Sequence, residues 1–399
     1  MGGQKIDSLK LLVVIQLFFW LRVGVIDPVL VLFIRRIGIT VTQIGLLMMV
    51  NSVGWAVFEP IFGVVADRIG KKRLIIYSIA STSLVYVSYT FATSIWHFAL
   101  IMFAMSSNMA AGVVSIRAMM MDLLPTSGIG KVYGRYNAIV AMGNIIGPLL
   151  GGFLADTVSY FAPFYVSGGL GIICLATVLP LRYNERPISK ASLTMKTLDR
   201  SKLMTKPFMG ILFTRLVYMF NMNFQRSILP IFLHESQSFR ASEVEIGFYM
   251  GIMRFTTALS QLFLGTLADK VGSKKLIVSD LAIGGLSYLS LIYLNEVPFL
   301  YLLGALQGIF FAAVDMSMML YLMTITPKDS SGKAMGVYGL SEDIGGMISS
   351  PTLGMVYERI GPLSAIFFIS TVLICNAIFS ISLIKKDSNS LISSSQPRT

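Results

Sequence analysis

The sequence predicts an all-α polytopic membrane protein with about twelve transmembrane helices in two pseudo-symmetric six-helix bundles. Composition is the first observation: of 399 residues, 55% are hydrophobic and 13% charged, with a mean hydropathy of +0.74. A soluble core of this size could not bury that much apolar surface. The second observation is a series of apolar runs of ~20 residues, the length that a helix needs to cross ~30 Å of hydrocarbon. The third is an internal repeat.

The repeat relates the two halves of the chain at a constant offset of 202 residues. The segment GVVADRIGKK at 63–72 returns as GTLADKVGSK at 265–274. Without a gap, the same offset pairs Pro28 with Pro230, Gly134 with Gly336, Gly143 with Gly345 and Gly152 with Gly354. Such a constant register predicts that both halves fold alike around one shared interface.

Six apolar spans follow one another in each half. They are predicted at 11–34, 43–66, 74–93, 97–120, 133–156 and 160–181, and at 208–233, 244–268, 275–294, 298–323, 335–357 and 362–384. The domain prediction is an N-terminal bundle over 1–182, a cytoplasmic linker over 183–207, a C-terminal bundle over 208–386 and a disordered tail over 387–399. The linker is polar and basic, and the tail has little to bury.

The net charge of +12 would suggest nucleic-acid binding in a soluble protein, but here the positions of the lysines explain it. Each lysine lies in a terminus, in the linker or in a loop from an even-numbered to an odd-numbered helix. Because positive residues concentrate in cytoplasmic loops, we expect a plasma-membrane protein with both termini in the cytoplasm and no nucleic-acid partner.

Sites of other chemistry are not indicated. The chain has no phosphate-binding Gly-rich loop with Lys-Ser/Thr, and its two histidines, His97 and His234, fall in predicted outer loops. Cys174 and Cys375 lie inside apolar spans, where buried thiols are expected. We therefore expect no enzymatic activity, no cofactor and no metal.

The repeated loop after the second helix carries a resemblance. In it, Gly63 permits close helix packing, Asp67 can face a helix N-terminus, and Gly70 permits a tight turn. With two six-helix halves and a basic linker, the chain resembles the major facilitator superfamily over nearly its whole length. The resemblance implies that the loop is a latch between the halves, in which Asp67, Arg68 and Asp122 form a charge network. The latch residues so implied are Gly63, Asp67, Arg68, Gly70, Lys71 and Asp122, with Gly265, Asp269 and Gly272 in the second half.

The fifth helix carries a second motif. It consists of Gly134, Gly143, Gly147, Pro148, Gly151 and Gly152. Repeated glycines allow close backbone approach, and a proline removes a backbone donor and lets the helix bend. The pattern is similar to the helix 5 motif of the superfamily's antiporters and drug exporters, which implies export. The arginine that drug:proton antiporters carry midway along helix 4 is absent, since that region holds Met102 and Ser106.

Ionisable residues at membrane depth are costly and usually mark a pathway. Arg22 and Arg254 both come out about 16 Å inside their helices, one in each half. Asp27 points about 140° away from Arg22, so it needs another partner, water or a proton. We predict Asp27 as the first candidate for proton coupling. The alternates are Asp315, Glu342 and Asp343, whereas Arg215 and Arg226 are expected to snorkel to the surface and Glu59 to belong to the latch.

These observations predict a secondary active transporter that works by alternating access as a monomer and exports small organic or drug-like compounds in exchange for protons. One alternative is an organic-anion transporter in which Arg22 and Arg254 bind the anion together. Another is a non-transporting receptor or scaffold on the same fold. Loss of anion transport on neutralising the arginines would favour the first alternative, and loss of drug efflux in Asp27→Asn would favour antiport.

Overall fold

The computed structural model describes residues 2–123, 129–181, 183, 204–294, 296–326 and 331–384. Most of the predicted linker (183–207) and all of the predicted tail (387–399) lie outside these ranges, so their boundaries stay predictions. The described backbone is helical, without a strand. Its helices are α1 (Gly2–Arg36), α2 (Val41–Ile69), α3 (Lys71–Ser88), α4 (Ile95–Leu123), α5 (Ile129–Thr157), α6 (Ala162–Val178), α7 (Lys206–Asn223, Phe224–Ile228 and Leu229–Glu235), α8 (Glu243–Val271), α9 (Ser273–Leu289), α10 (Val297–Ile325), α11 (Ser331–Arg359) and α12 (Pro362–Leu383).

Eight of these helices are long and apolar enough to cross a membrane, by the composition of the described residues. The shorter α6 is also apolar. The other three, α7, α8 and α11, carry charged residues inside their predicted spans. The outer surface of the molecule suits a bilayer, because large apolar side chains such as Leu84 (74% exposed) and Leu262 (70%) point away from the protein.

The sequence repeat reappears in the helix bounds. Moved by 202 residues, the bounds of α2, α4 and α5 become those of α8, α10 and α11. Local signals explain this agreement for α2 and α8. Thr40 and Ser242 cap the two helices in capping boxes, and Gly70 and Gly272 end them with φ of 105° and 92°.

A tertiary contact is repeated as well. Lys72 at the start of α3 donates from Nζ to the carbonyl of Leu179, 2.9 Å away at the end of α6. Its counterpart Lys274 donates to the carbonyl of Ile381 at 2.6 Å. In each half a lysine therefore stabilises the carbonyl end of a neighbouring helix.

The seventh helix differs from the continuous span predicted at 208–233. It contains a π-helical segment, Phe224–Ile228, in which the N–H of Leu229 donates to the carbonyl of Phe224. Pro230 follows directly and has no N–H to donate one turn back, so the helix adjusts its hydrogen bonding before it. Pro28 occupies the same repeat position, yet α1 is a continuous α-helix. The two halves are therefore not identical at this point.

Candidate transport cavity

The two halves meet mainly through α2 with α11 and α5 with α8. We call the end of the molecule with the Gly70 and Gly272 turns the lysine-rich face, and the end with the Gly38 and Gly361 turns the opposite face. Near the opposite face the helices touch, since a methyl group added to Gly45 of α2 would lie 3.0 Å from the Cα of Pro351 in α11. Toward the lysine-rich face this close packing is absent at Gly63 of α2, where an added methyl group would meet nothing within 4 Å.

Between the halves lies a cavity with a volume of about 490 Å³, within the range typical of small-molecule sites. Both halves contribute to its wall. The apolar lining is Trp20, Val23, Val140, Ala141, Met222, Met250, Met253, Ala258, Phe311 and Ala312. The polar lining is Asp27, Asn144, Gln225, Arg226, Arg254, Thr257, Gln261 and Asp315.

An ion pair joins the halves at the cavity wall. Arg254 of α8 donates from Nη2 to the carboxylate of Asp27 in α1 and from Nη1 to the backbone carbonyl of Asn144 in α5, at 3.2 Å. The carbonyl of Asn144 lies four residues before Pro148, which has no N–H to bond to it within the helix. The proline of the helix 5 motif thus leaves an acceptor that the arginine of the other half occupies.

A second charged cluster lies within the C-terminal half. Arg215 of α7 pairs with Asp315 of α10 and, at 2.6 Å, with Glu342 of α11. Its side chain is 12% exposed, and its guanidinium lies over the rings of Tyr218 and Tyr338. The expectation that Arg215 snorkels is therefore wrong, because the two acids of the neighbouring helices hold it inside. The two acids could have predicted this buried arginine from the sequence, because carboxylates at membrane depth require a nearby cation.

Arg22 does not line the cavity, although the organic-anion alternative requires it to bind the anion together with Arg254. It is 1% exposed inside the N-terminal half, where it donates to the carbonyl of Ile79 at 3.3 Å and to Thr82, with the Tyr86 ring 5.1 Å away. The angle of about 140° between Arg22 and Asp27 explains this separation, because only one of them can face the cavity. A joint anion clamp by Arg22 and Arg254 is therefore not formed.

Arg226 was also expected to snorkel, and the structure places it in the cavity wall instead. Glu342 and Asp343 of α11, two of the alternates to Asp27 for proton coupling, do not line the cavity. Glu342 pairs with Arg215, and Asp343, the next residue, is half-buried. Asp280 of α9 was not among the predicted site residues. This side chain is 9% exposed, and its Oδ2 has no hydrogen-bond partner among the described residues.

The residues of the predicted latch are spread over the lysine-rich face. Asp67 and Arg68 are exposed, and Asp122 bonds to Lys71 Nζ at 2.5 Å and to the hydroxyl of Tyr183. The predicted network of Asp67, Arg68 and Asp122 is thus not assembled among the described residues in this conformation, where Lys71 and Tyr183 bond to Asp122 instead. Its place in the cycle stays a prediction. The side chain of Asp269 is outside the described part, and Gly70 and Gly272 form the turns of the two loops.

The glycines of the helix 5 motif pack α5 against two neighbours. Methyl groups added to Gly143 and Gly147 would lie 2.6 Å from backbone atoms of α1, and one added to Gly151 would meet the carbonyl of Val25. One added to Gly152 would instead meet the carbonyl of Glu243 in α8. The motif therefore brings α5 close both to its own half and to the other half. The surroundings of Gly134 are not described.

Comparisons with known proteins agree with this architecture. The profile of the Major Facilitator Superfamily matches residues 12–215 and again 211–397. Multidrug resistance protein MdtG of Klebsiella pneumoniae (strain 342) is 25% identical over 90% of this chain and 88% of its own length. MdtG of Escherichia coli O17:K52:H18 is 24% identical over 90% and 89%.

Solved structures show the same fold. A mutant of the nucleoside transporter NupG superimposes with a TM-score of 0.83 at 16% identity, covering 96% of this chain and all of that one. A POT family transporter in complex with 5-aminolevulinic acid gives a TM-score of 0.78 at 15% identity, covering 95% of this chain and 97% of that one. These matches confirm the predicted fold class and show that the protein is a membrane transporter, not an enzyme. The chain belongs to the major facilitator superfamily.

Proposed function

We propose that this transporter exports small organic compounds in exchange for protons, with Asp27 as the carboxyl group that binds the proton. The observation that supports the proposal is the ion pair of Asp27 with Arg254, which joins the halves at the cavity wall. A neighbouring guanidinium favours the ionised form of a carboxyl group, and an apolar cavity favours the neutral form. Proton binding at Asp27 would then depend on the distance between the halves.

This dependence provides a coupling mechanism. With the cavity open to the lysine-rich face, α1 and α8 are close and Asp27 pairs with Arg254. Rocking of the halves to open the opposite face separates these helices, so Asp27 loses its partner and takes up a proton from that side. Return re-forms the ion pair and releases the proton toward the lysine-rich face. The substrate moves the other way.

The direction of transport depends on how the protein is oriented in the membrane. We infer that the lysine-rich face is cytoplasmic, because positive residues concentrate on that side of a membrane. Export also agrees with the helix 5 motif and with the relatives named multidrug resistance proteins. Tags at both termini should be protected from external protease in intact cells, and cleavage of either tag would contradict this orientation. Activity as a monomer remains our prediction.

Asp27→Asn tests the mechanism. Purified protein in proteoliposomes is exposed to a panel of neutral, anionic and cationic aromatic drugs while the lumenal pH is recorded. We expect the wild type to couple drug movement to proton movement. The drug-driven proton flux of Asp27→Asn should be at least about 10-fold lower than that of the wild type. Glu296→Gln removes an exposed acid at the start of α10 and should leave the flux unchanged. Full proton coupling in Asp27→Asn would refute the proposal.

A further inference from the structure

The cavity contains a cation that no acid of the described chain neutralises. Arg226 lies in the π-helical segment of α7, and its side chain is exposed to the cavity. The segment precedes Pro230, which removes one backbone donor, and π-helical segments occur frequently at functional sites. The local backbone that sets the position of Arg226 thus has no counterpart in α1, the equivalent helix of the first half.

Each of the other charged groups of the cavity wall has an ion-pair partner. Asp27 pairs with Arg254, and Asp315 pairs with Arg215. Arg226 has no hydrogen bond or ion pair with any residue in the part of the chain that the structure describes. An unpaired guanidinium at membrane depth is costly, so it is expected to have a functional partner that is not part of the protein.

We propose that Arg226 binds the anionic group of the transported compound, and that the substrates are amphipathic organic anions. This inference rests on the proposed export function and assigns its substrate class. A guanidinium offers a planar pair of donors that fits a carboxylate, sulfonate or phosphonate. Trp20 and Phe311, with Met222, Met250 and Met253, provide an apolar wall for the body of such a compound.

The charge of the substrate has a consequence for energetics. If one proton enters for each monovalent anion that leaves, the two movements together carry two positive charges inward. Export of an anion should therefore accelerate when the membrane potential is made more negative inside. A monovalent cation exchanged for one proton would show no such dependence.

Binding of matched naphthalene compounds tests the assignment. Isothermal titration calorimetry on the full-length protein in detergent compares naphthalene-2-carboxylate, -sulfonate and -phosphonate with the uncharged naphthalene-2-carboxamide and the cationic naphthalene-2-methylammonium. We expect at least one anion to bind about 10-fold tighter than the amide, the effect of a charge-assisted hydrogen bond. Arg226→Gln should abolish this preference, and Arg226→Lys should retain part of it. Arg359→Gln, at an exposed arginine on the opposite face, should not change it.

The outcomes separate this inference from the export mechanism. If no anion binds more tightly than the amide, if the ammonium compound binds best, or if Arg226→Gln keeps the anion preference, the assignment is wrong. None of these results depends on proton coupling, which Asp27→Asn measures independently. Equal thermal unfolding of wild type and both Arg226 variants shows that the fold is intact, and Arg226→Lys gives a second measurement if Arg226→Gln unfolds.

Discussion

The two faces of the molecule differ in how its halves meet. At the opposite face, Arg35 of α1 pairs with Glu235 of α7 at 2.6 Å, and the N–H of Thr42 in α2 donates to Glu358 of α11 at 2.8 Å. At the lysine-rich face, methyl groups added to Gly63 or Gly336 would meet nothing within 4 Å. The opposite face is thus held closed by polar contacts and closely packed glycines. At Gly63 and Gly336 the lysine-rich face has no contact of this kind.

The apolar core shows the same difference. One buried cluster contains residues of both halves, among them Val29 and Ile231. A second cluster, which includes Leu12, Ile75 and Met120, contains residues of the N-terminal half only. Because the N-terminal half has its own core near the lysine-rich face, the halves can separate there without exposing a shared one. This arrangement suits rocking of two rigid bundles.

The largest expected effect comes from Gly45→Val, where α2 packs against α11 near the opposite face. A larger side chain would collide with the backbone of Ser350 and Pro351, and overpacking of this kind costs about 1–3 kcal/mol. We expect the population open to the opposite face to rise about 10- to 100-fold. Electron–electron distance measurements between spin labels at positions 37 and 238 would detect it, with Cys174 and Cys375 replaced by Ser.

Gly169→Val is the matched control for the seam. A methyl group added to Gly169 would meet nothing within 4 Å, and this glycine lies on α6, away from the other half. Its valine variant should give the wild-type distance distribution. An unchanged distribution in Gly45→Val as well would mean that the seam does not keep the opposite face closed.

Gly63→Val tests the contact between the halves at the lysine-rich face. Its valine is tolerated in the present conformation, because nothing lies within 4 Å. If Gly63 is where the halves approach in the other state, as the latch prediction implies, transport should fall about 10-fold through overpacking there. The distance distribution and thermal unfolding should stay as in the wild type. Undiminished transport would show that Gly63 is not at a closing seam.

The smallest expected effect is the pH dependence of closure at the opposite face. Glu243 begins α8 outside the predicted span, and burial raises its pKa, an effect that Asp156 of α5 increases and Arg36 of α1 opposes. His234 of α7 lies 3.9 Å away. A pKa raised in the closed state means that protonation favours closure, so closure should weaken as pH rises through that raised value.

Glu243→Gln should therefore make the distance distribution at the opposite face less dependent on pH, by a factor below about 10 in population. The measurement is a pH series with the same pair of spin labels. Glu296→Gln, an exposed acid on the same face, should keep the wild-type response. If the response persists in Glu243→Gln, another group is responsible for it.

The repeat was a good guide to the helices because capping and turn residues act locally. Thr40 and Ser242 begin α2 and α8 at equivalent positions, and Gly70 and Gly272 end them. The interruption of α7 could not be read in the same way. Pro28 and Pro230 look alike in sequence, but only the second follows a π-helical segment. The difference depends on the packing around each helix.

The membrane fold, the two equivalent halves and the charged residues at membrane depth could all be predicted from the amino-acid sequence, because they depend on composition, length and local residue types. The partners of those charges became clear from the packing of the helices. Arg254 reaches Asp27 across the interface, Arg22 is buried within one half, and Arg226 faces the cavity. Whether a charge pairs, packs or meets the substrate depends on the rotation of its helix and on the neighbouring helices, which no single helix specifies alone.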